Sequence, residues 1–223
     1  MAFLDDKSLW PLSLYLPQIS LNQAATAFCG SVIMLIPVLF VFGLFHDDLE
    51  QGIVYAPQQM EAVRLAAGRQ VMLLTGGPGT GKTTSLRGVL ALFETLGLET
   101  ALAAPTGRAA KRIAELTGCE AKTIHRLLEV QWDEADAAVF ARNEKNPLDA
   151  DALVVDEVSM VDVLLFDSLL RALKSGCRLI LVGDTDQLPA VGPGSVLHDL
   201  IDSGVLPVVQ LTEVFRQAQE SHI

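Results

Sequence analysis

Gly76-Gly77-Pro78-Gly79-Thr80-Gly81-Lys82-Thr83 is the stretch from which the rest of this chain is read. It satisfies G-x-x-x-x-G-K-[ST], the pattern of a phosphate-binding loop. Glycines let backbone N–H groups converge on phosphate oxygens with no Cβ in the way. A helix starting at the end of the loop presents its positive N-terminus to the same anion. Lys82 can reach the outer phosphates, and the Thr83 hydroxyl can ligate Mg²⁺. The flanks agree with this chemistry. Val71–Thr75 is a short apolar run, predicting a buried strand, and Thr83–Leu96 has helical periodicity stopped by Gly97. Taken alone, a glycine-rich turn between strand and helix could bind nothing. Gly77, Pro78, Gly79, Thr80, Gly81, Lys82 and Thr83 are nonetheless the first candidates for a nucleotide site.

Moving outward, apolar strands and amphipathic helices alternate. Helices are predicted at Pro57–Ala67, Arg108–Leu116, Thr123–Glu129, Leu164–Leu173 and Val196–Ser203, and strands at Thr100–Ala104, Ala152–Asp156, Arg178–Gly183 and Val208–Leu211. Gln131–Asp151 is polar and weakly patterned, predicting a surface insertion. Short apolar strands between helices imply an α/β fold with a parallel sheet flanked by helices on both faces.

In a parallel sheet, ligands bind beyond the carboxyl ends of the strands. Leu153-Val154-Val155-Asp156-Glu157 is an apolar strand that ends there in two acids. One carboxylate can hold Mg²⁺ and the next can polarise an attacking water. Without a phosphate loop, the pair would be two solvated acids at a strand end. Leu179–Gly183 runs into Asp184-Thr185-Asp186-Gln187. The neutral Gln187 can both donate and accept, and so could contact a γ-phosphate or the attacking water. Its plainer reading is a turn stabilised by Gly183 and Asp184.

Composition bounds the whole. The chain has 223 residues, half of them hydrophobic, with mean hydropathy +0.37 and formal charge −11. That excludes a disordered, collagenous or long coiled-coil protein, and a simple polycation for nucleic acid. The apolar excess is local, because Ala24–Phe45 is 22 residues without a charge. As a helix it would rise about 33 Å, enough to span a bilayer core. A membrane anchor, a buried helix pair and an aberrant leader are the competing readings. Few basic residues flank the run, and Pro37 would kink it. Residues 1–51 are therefore set apart as an N-terminal segment, and 52–223 as the globular domain. Cys29, Cys119 and Cys177 are widely spaced and form no CxxC, which fits a reducing, cytoplasmic setting without a structural metal.

Seven collinear segments carry a family resemblance: Gln59, GGPGTGKTT, APTGRAAKRI, TIHRLL, VVDEVSMVD, LVGDTDQLPAVGPGSVL and LTEVFRQ. Their order closely resembles superfamily 1 helicases of the RecD type, the exodeoxyribonuclease V alpha-subunit family. The resemblance covers about Gly52 to Ile223. It implies a RecA-like motor domain that hydrolyses ATP with Mg²⁺ and works 5′ to 3′ on single-stranded DNA in recombination and repair. By the same resemblance Gln59 would read adenine, with Thr84 lining the site. Lys82 and Thr83 would take the phosphate-loop roles, and Asp156 would be the Mg²⁺-associated acid. Glu157 would be the general base, Gln187 the γ-phosphate sensor and Arg216 the arginine that neutralises transition-state charge. Pro105, Thr106, Arg108 and His125 would lie on the DNA track. Ala101–Arg126 holds five basic residues against two acids, a local excess on an acidic chain. Family members carry a second motor domain, so this chain is expected to be a fragment not competent for unwinding alone. Recombination or repair subunits are the implied partners. A non-motor ATPase module and an inactive membrane-tethered fragment are the rival readings.

Overall fold

A computed structural model describes residues 55–132 and 138–215. The apolar run Ala24–Phe45, the boundary at 52 and Arg216 lie outside the described residues.

The elements follow in the order α1 (Pro57–Gly68), β1 (Val71–Gly76), α2 (Lys82–Thr95), β2 (Thr100–Ala104), α3 (Gly107–Thr117), β3 (Ala121–Thr123) and α4 (Ile124–Leu127). Then come β4 (Val130–Trp132), β5 (Ala138–Phe140), β6 (Ala152–Val155), α5 (Val163–Arg171), β7 (Arg178–Gly183), α6 (Val196–Asp202) and β8 (Val208–Leu211). A short 3₁₀ turn, Val158–Met160, follows β6. Six strands form one sheet in the order β3-β2-β6-β7-β1-β8, and every pairing is parallel.

The expected α/β sheet flanked by helices is what the chain forms. The central strands are buried on both faces, which is why β1, β6 and β7 are continuous apolar runs. Alternate residues sort to the two sides. Leu73, Leu153, Val155, Leu179 and Leu181 join Phe166, Leu169, Val196 and Leu197 in one core cluster. Met72, Leu74, Val154, Ile180 and Val182 are equally buried and point the other way by the period-two rule. Leu86, Val89 and Phe93 of α2 are fully buried as well. Each such side chain stabilises the fold by about 2 kcal/mol.

Local chemistry sets the helix boundaries. Thr106 caps α3, its Oγ1 accepting from Ala109 N–H at 3.2 Å, and Gly118 closes the helix at φ 74°. Asp162 caps α5 with one carboxylate oxygen accepting from Leu164 and Leu165 N–H, both at 2.9 Å. Arg178 Nη1 donates to the carbonyls of Ala66, Ala67 and Arg69 at 2.9, 3.2 and 3.1 Å, tying the end of α1 to the start of β7.

Two expectations are corrected. The sheet has six strands, not five, because Ala121–Thr123 pairs with Leu102–Ala104 at the edge. Three residues are too few for an apolar run to be seen. The stretch 131–151 is not a plain surface insertion. It contributes to the antiparallel ribbon β4–β5 and is pinned to the body by the buried Leu148 and Ala150. Leu148 N–H donates to Ala172 O at 2.8 Å.

Candidate nucleotide-binding site

Because all six strands run the same way, their carboxyl ends share one edge of the sheet, where strand-to-helix loops gather. The phosphate loop leaves β1, Pro105 and Thr106 follow β2, Asp156 and Glu157 follow β6, Asp184 and Gln187 follow β7, and Thr212–Phe215 follow β8. Strand order does the rest. β7 lies between β1 and β6, so the Asp184–Gln187 turn stands between the loop and the acid pair.

The loop is shaped by what presses on it. Gly81 has φ 85° and caps α2 from the left-handed region, leaving the first N–H groups of that helix without a side-chain cap. A Cβ on Gly81 would lie 2.1 Å from Gln59 Nε2. Gln59 is 3% exposed, and its Oε1 accepts from Ala56 N–H at 2.9 Å. It therefore caps α1 and packs its amide against the loop. Thr80 is buried and donates its hydroxyl to Gly77 O at 2.9 Å. Lys82 Nζ donates to the carbonyls of Gly76 and Gly77, the latter at 3.0 Å, and lies 3.7 Å from Asp184 Oδ2. Thr83 and Thr84 occupy the first turn of α2, partly exposed at this edge.

The acid pair, Asp156 and Glu157, stands directly after β6. Burial, and next the neighbouring Glu157 carboxylate, push the Asp156 carboxyl up to about 6, against the pull of Glu157 N–H, Lys82 and Arg112. Glu157 adopts φ 55°, uncommon for a residue with a side chain, and its Oε2 is buried without a hydrogen-bond partner. An orphaned buried carboxylate oxygen beside an acid whose charge is disfavoured fits a Mg²⁺–nucleotide complex. Thr83 and Asp156 would hold the ion, which would neutralise phosphate charge there.

Gln187 is oriented by its surroundings: its Oε1 accepts from Ser159 Oγ at 3.1 Å. Its backbone N–H donates to Asp184 O at 3.3 Å, and Asp186 N–H donates to Asp184 Oδ1 at 3.0 Å.

The DNA-track candidates are more scattered. Thr106 spends its hydroxyl on the α3 cap, and Pro105 is half-buried beside it. Arg108 and His125 are exposed, with the His125 ring 6.0 Å from that of Phe140. Lys111 and Lys122 pair with Glu115 and Glu120, each at 3.7 Å, in exposed ion pairs of small worth.

Three site residues escape the sequence reading. Asp184 looks like a turn residue, yet it is 3% exposed and faces Lys82. Its only sequence signal is a carboxylate directly after the apolar run Leu179–Gly183. Ser159 lies inside the acid-pair motif without a role suggested by its type. Gln58 holds Thr212: its Oε1 accepts from Thr212 N–H at 2.9 Å and its Nε2 donates to Thr212 Oγ1 at 3.0 Å. That clasp lays Thr212–Phe215 over the loop, where Phe215 N–H donates to Gly79 O at 2.9 Å. A Cβ on Gly79 would lie 3.6 Å from Val214 Cγ1.

A parallel sheet with a phosphate loop after β1 and a paired-acid turn two strands away defines a RecA-like phosphate-loop nucleotide-binding domain. Residues 59–193 match the family model described as an AAA domain, and the chain belongs to that family. It is similar to the ATP-dependent RecD2 DNA helicase of Deinococcus radiodurans, with 46% identity over 74% of this chain and 22% of that protein. It is also similar to the RecBCD enzyme subunit RecD of Mycolicibacterium smegmatis, with 41% identity over 65% of this chain and 30% of that protein. Bacteroides Pif1 bound to single-stranded DNA shares the fold, with TM-score 0.53 and 24% identity over 75% of this chain and 44% of that one. The chain thus spans about a quarter of the length of the curated relatives it matches. Among the described residues, no helix is long and apolar enough to cross a membrane.

Proposed function

We propose that this chain is the first motor domain of a RecD-like helicase, binding ATP with Mg²⁺ and hydrolysing it to drive 5′-to-3′ movement on single-stranded DNA. The observation that carries this is the convergence of Lys82, Asp156, Glu157 and Gln187 at one sheet edge, from β1, β6 and β7. The similarity to RecD proteins supports the same reading. A cytoplasmic setting and recombination or repair subunits as partners go with this reading, and the relative that is a subunit of the RecBCD enzyme supports work within a larger assembly.

Each residue has a role in the proposed reaction. A water oxygen attacks the γ-phosphorus in line as the bond to the β–γ bridging oxygen breaks. Glu157 orients that water and accepts its proton, a task suited to a carboxylate oxygen with no other partner. Lys82 exchanges its loop carbonyls for phosphate oxygens and offsets their charge. Gln187 contacts the γ-phosphate, and Arg216 neutralises the charge that builds during transfer. Gln59 contacts adenine, and Thr84 lines the site. Pro105, Thr106, Arg108 and His125 form the DNA-facing side. Stepping requires a second RecA-like domain to close on the nucleotide.

ATP turnover by the chain, measured with and without a single-stranded oligonucleotide at fixed salt, tests this. Expected are weak ATP binding, slow hydrolysis that rises with the oligonucleotide, and loss of both on Lys82→Ala. Turnover indifferent to the oligonucleotide would point instead to a non-motor ATPase module. Full motor-rate turnover by this chain alone would overturn the need for a second domain.

A further inference from the structure

We propose that Ser159 is a positioning residue for the γ-phosphate contact, holding Gln187 so that its amide nitrogen faces the nucleotide as a donor. This deepens the function proposed above and rests on Gln187 meeting the γ-phosphate.

A primary amide has a donor end and an acceptor end. An unrestrained glutamine offers either one by rotating its last torsion. Only the donor end suits a phosphate oxygen, since the carbonyl end is repelled by it. Ser159 Oγ donates to Gln187 Oε1 at 3.1 Å, engaging the acceptor end and turning the NH₂ away from the serine.

Both partners are held in place. Ser159 is 8% exposed and sits inside the 3₁₀ turn, closed by Met160 N–H to Glu157 O and Val161 N–H to Val158 O, each at 3.0 Å. That turn approaches the end of β7 over Gly183, where a Cβ would lie 3.5 Å from Ser159 N and 2.7 Å from Leu197 Cδ2. On the other side, the bonds to Asp184 described above fix the backbone of Gln187, and Asp184 itself faces Lys82. The Ser159–Gln187 bond joins residues 28 apart in sequence. It bridges the turn that carries Glu157 to the turn that carries the phosphate contact. A bound γ-phosphate and the water-orienting carboxylate are thereby linked through one hydroxyl.

The test is nucleotide discrimination by the full chain. Dissociation constants for ADP and for the slowly hydrolysed triphosphate ATPγS are measured for wild type, Ser159→Ala, Gln187→Ala and the double variant. Ser159→Ala is expected to weaken ATPγS about three- to tenfold, the worth of one such hydrogen bond, with ADP unchanged. In the Gln187→Ala background it should add nothing, and Ser159→Thr, which keeps the hydroxyl, should restore discrimination. Equal weakening of ADP and ATPγS would show a merely structural serine and overturn the proposal. So would unaltered discrimination in Ser159→Ala, or additive losses in the double variant. A wild-type chain that binds neither nucleotide would overturn the nucleotide-binding reading as well. One that binds ATPγS no better than ADP would sink Gln187 as the γ-phosphate contact, and Ser159 with it.

Discussion

The ammonium of Lys82 lies 3.7 Å from Asp184 Oδ2, a carboxylate that is almost fully buried, while it also donates to the carbonyls of Gly76 and Gly77. Asp184 is thus a buried charge with its counter-charge supplied by the phosphate loop. Under the proposed function, phosphates drawing Lys82 outward would change the balance at the end of β7, and with it the turn that carries Gln187.

Removing the lysine should therefore do more than abolish nucleotide binding. Lys82→Met leaves Asp184 without its cation, and thermal or urea unfolding is expected to show a loss of about 2 kcal/mol without any ligand present. Adding Asp184→Asn should recover most of that loss while binding stays absent. Two independent, additive losses would show that the pair is not coupled.

Asp156 makes stability depend on pH. Its folded carboxyl is raised to about 6 by burial and by Glu157, above the ordinary value of 3.8. The folded state therefore binds the extra proton between these values. The stabilisation is fully present below pH 3.8 and is lost as pH rises through about 6. Asp156→Asn should remove this part of the slope in melts from pH 4 to 8. At pH 7.5 it should be more stable than wild type by on the order of 3 kcal/mol. A variant that tracks wild type across the whole range would contradict the assignment.

The loop glycines should differ sharply from one another. A Cβ on Gly77 meets nothing within 4 Å, whereas on Gly81 it would lie 2.1 Å from Gln59 Nε2 at φ 85°. Gly77→Ala should leave the melting temperature unchanged. Gly81→Ala should cost about 2 kcal/mol or more, combining backbone strain with displacement of a buried amide. Equal effects of the two substitutions on stability would refute the packing described for Gln59.

The Gln58–Thr212 clasp offers a fourth kind of test. Thr212→Val keeps the side-chain shape but loses the hydroxyl, and Gln58→Ala removes both hydrogen bonds. Each should destabilise by about 0.5–1 kcal/mol, given the partial exposure, with clear coupling in the double variant. Hydrogen exchange at the Phe215 amide, which donates to Gly79 O, should speed up in both variants.

Sequence and tertiary structure divide the information along a physical line. Strand, loop and helix around Gly76–Thr83 are legible because each feature there is local: apolar runs, glycines needing positive φ and a helix start are properties of neighbouring residues. The alternation that predicts a parallel sheet is local too, and from it follows the shared edge that holds Asp156, Glu157 and Gln187. The three-residue β3 and the β4–β5 ribbon are not legible, since each is stabilised by partners rather than by its own pattern. Nor could spacing reveal that Asp184 faces Lys82, that Ser159 holds Gln187, or that Gln58 grips Thr212 from 154 residues away. A hydrogen bond or ion pair depends on the distance between atoms, and that distance exists only once β7 has been inserted between β1 and β6 and β8 added beyond β1. The sequence by itself determined which chemical groups stand ready for the proposed phosphate contacts. The tertiary structure alone decided which of them restrain one another.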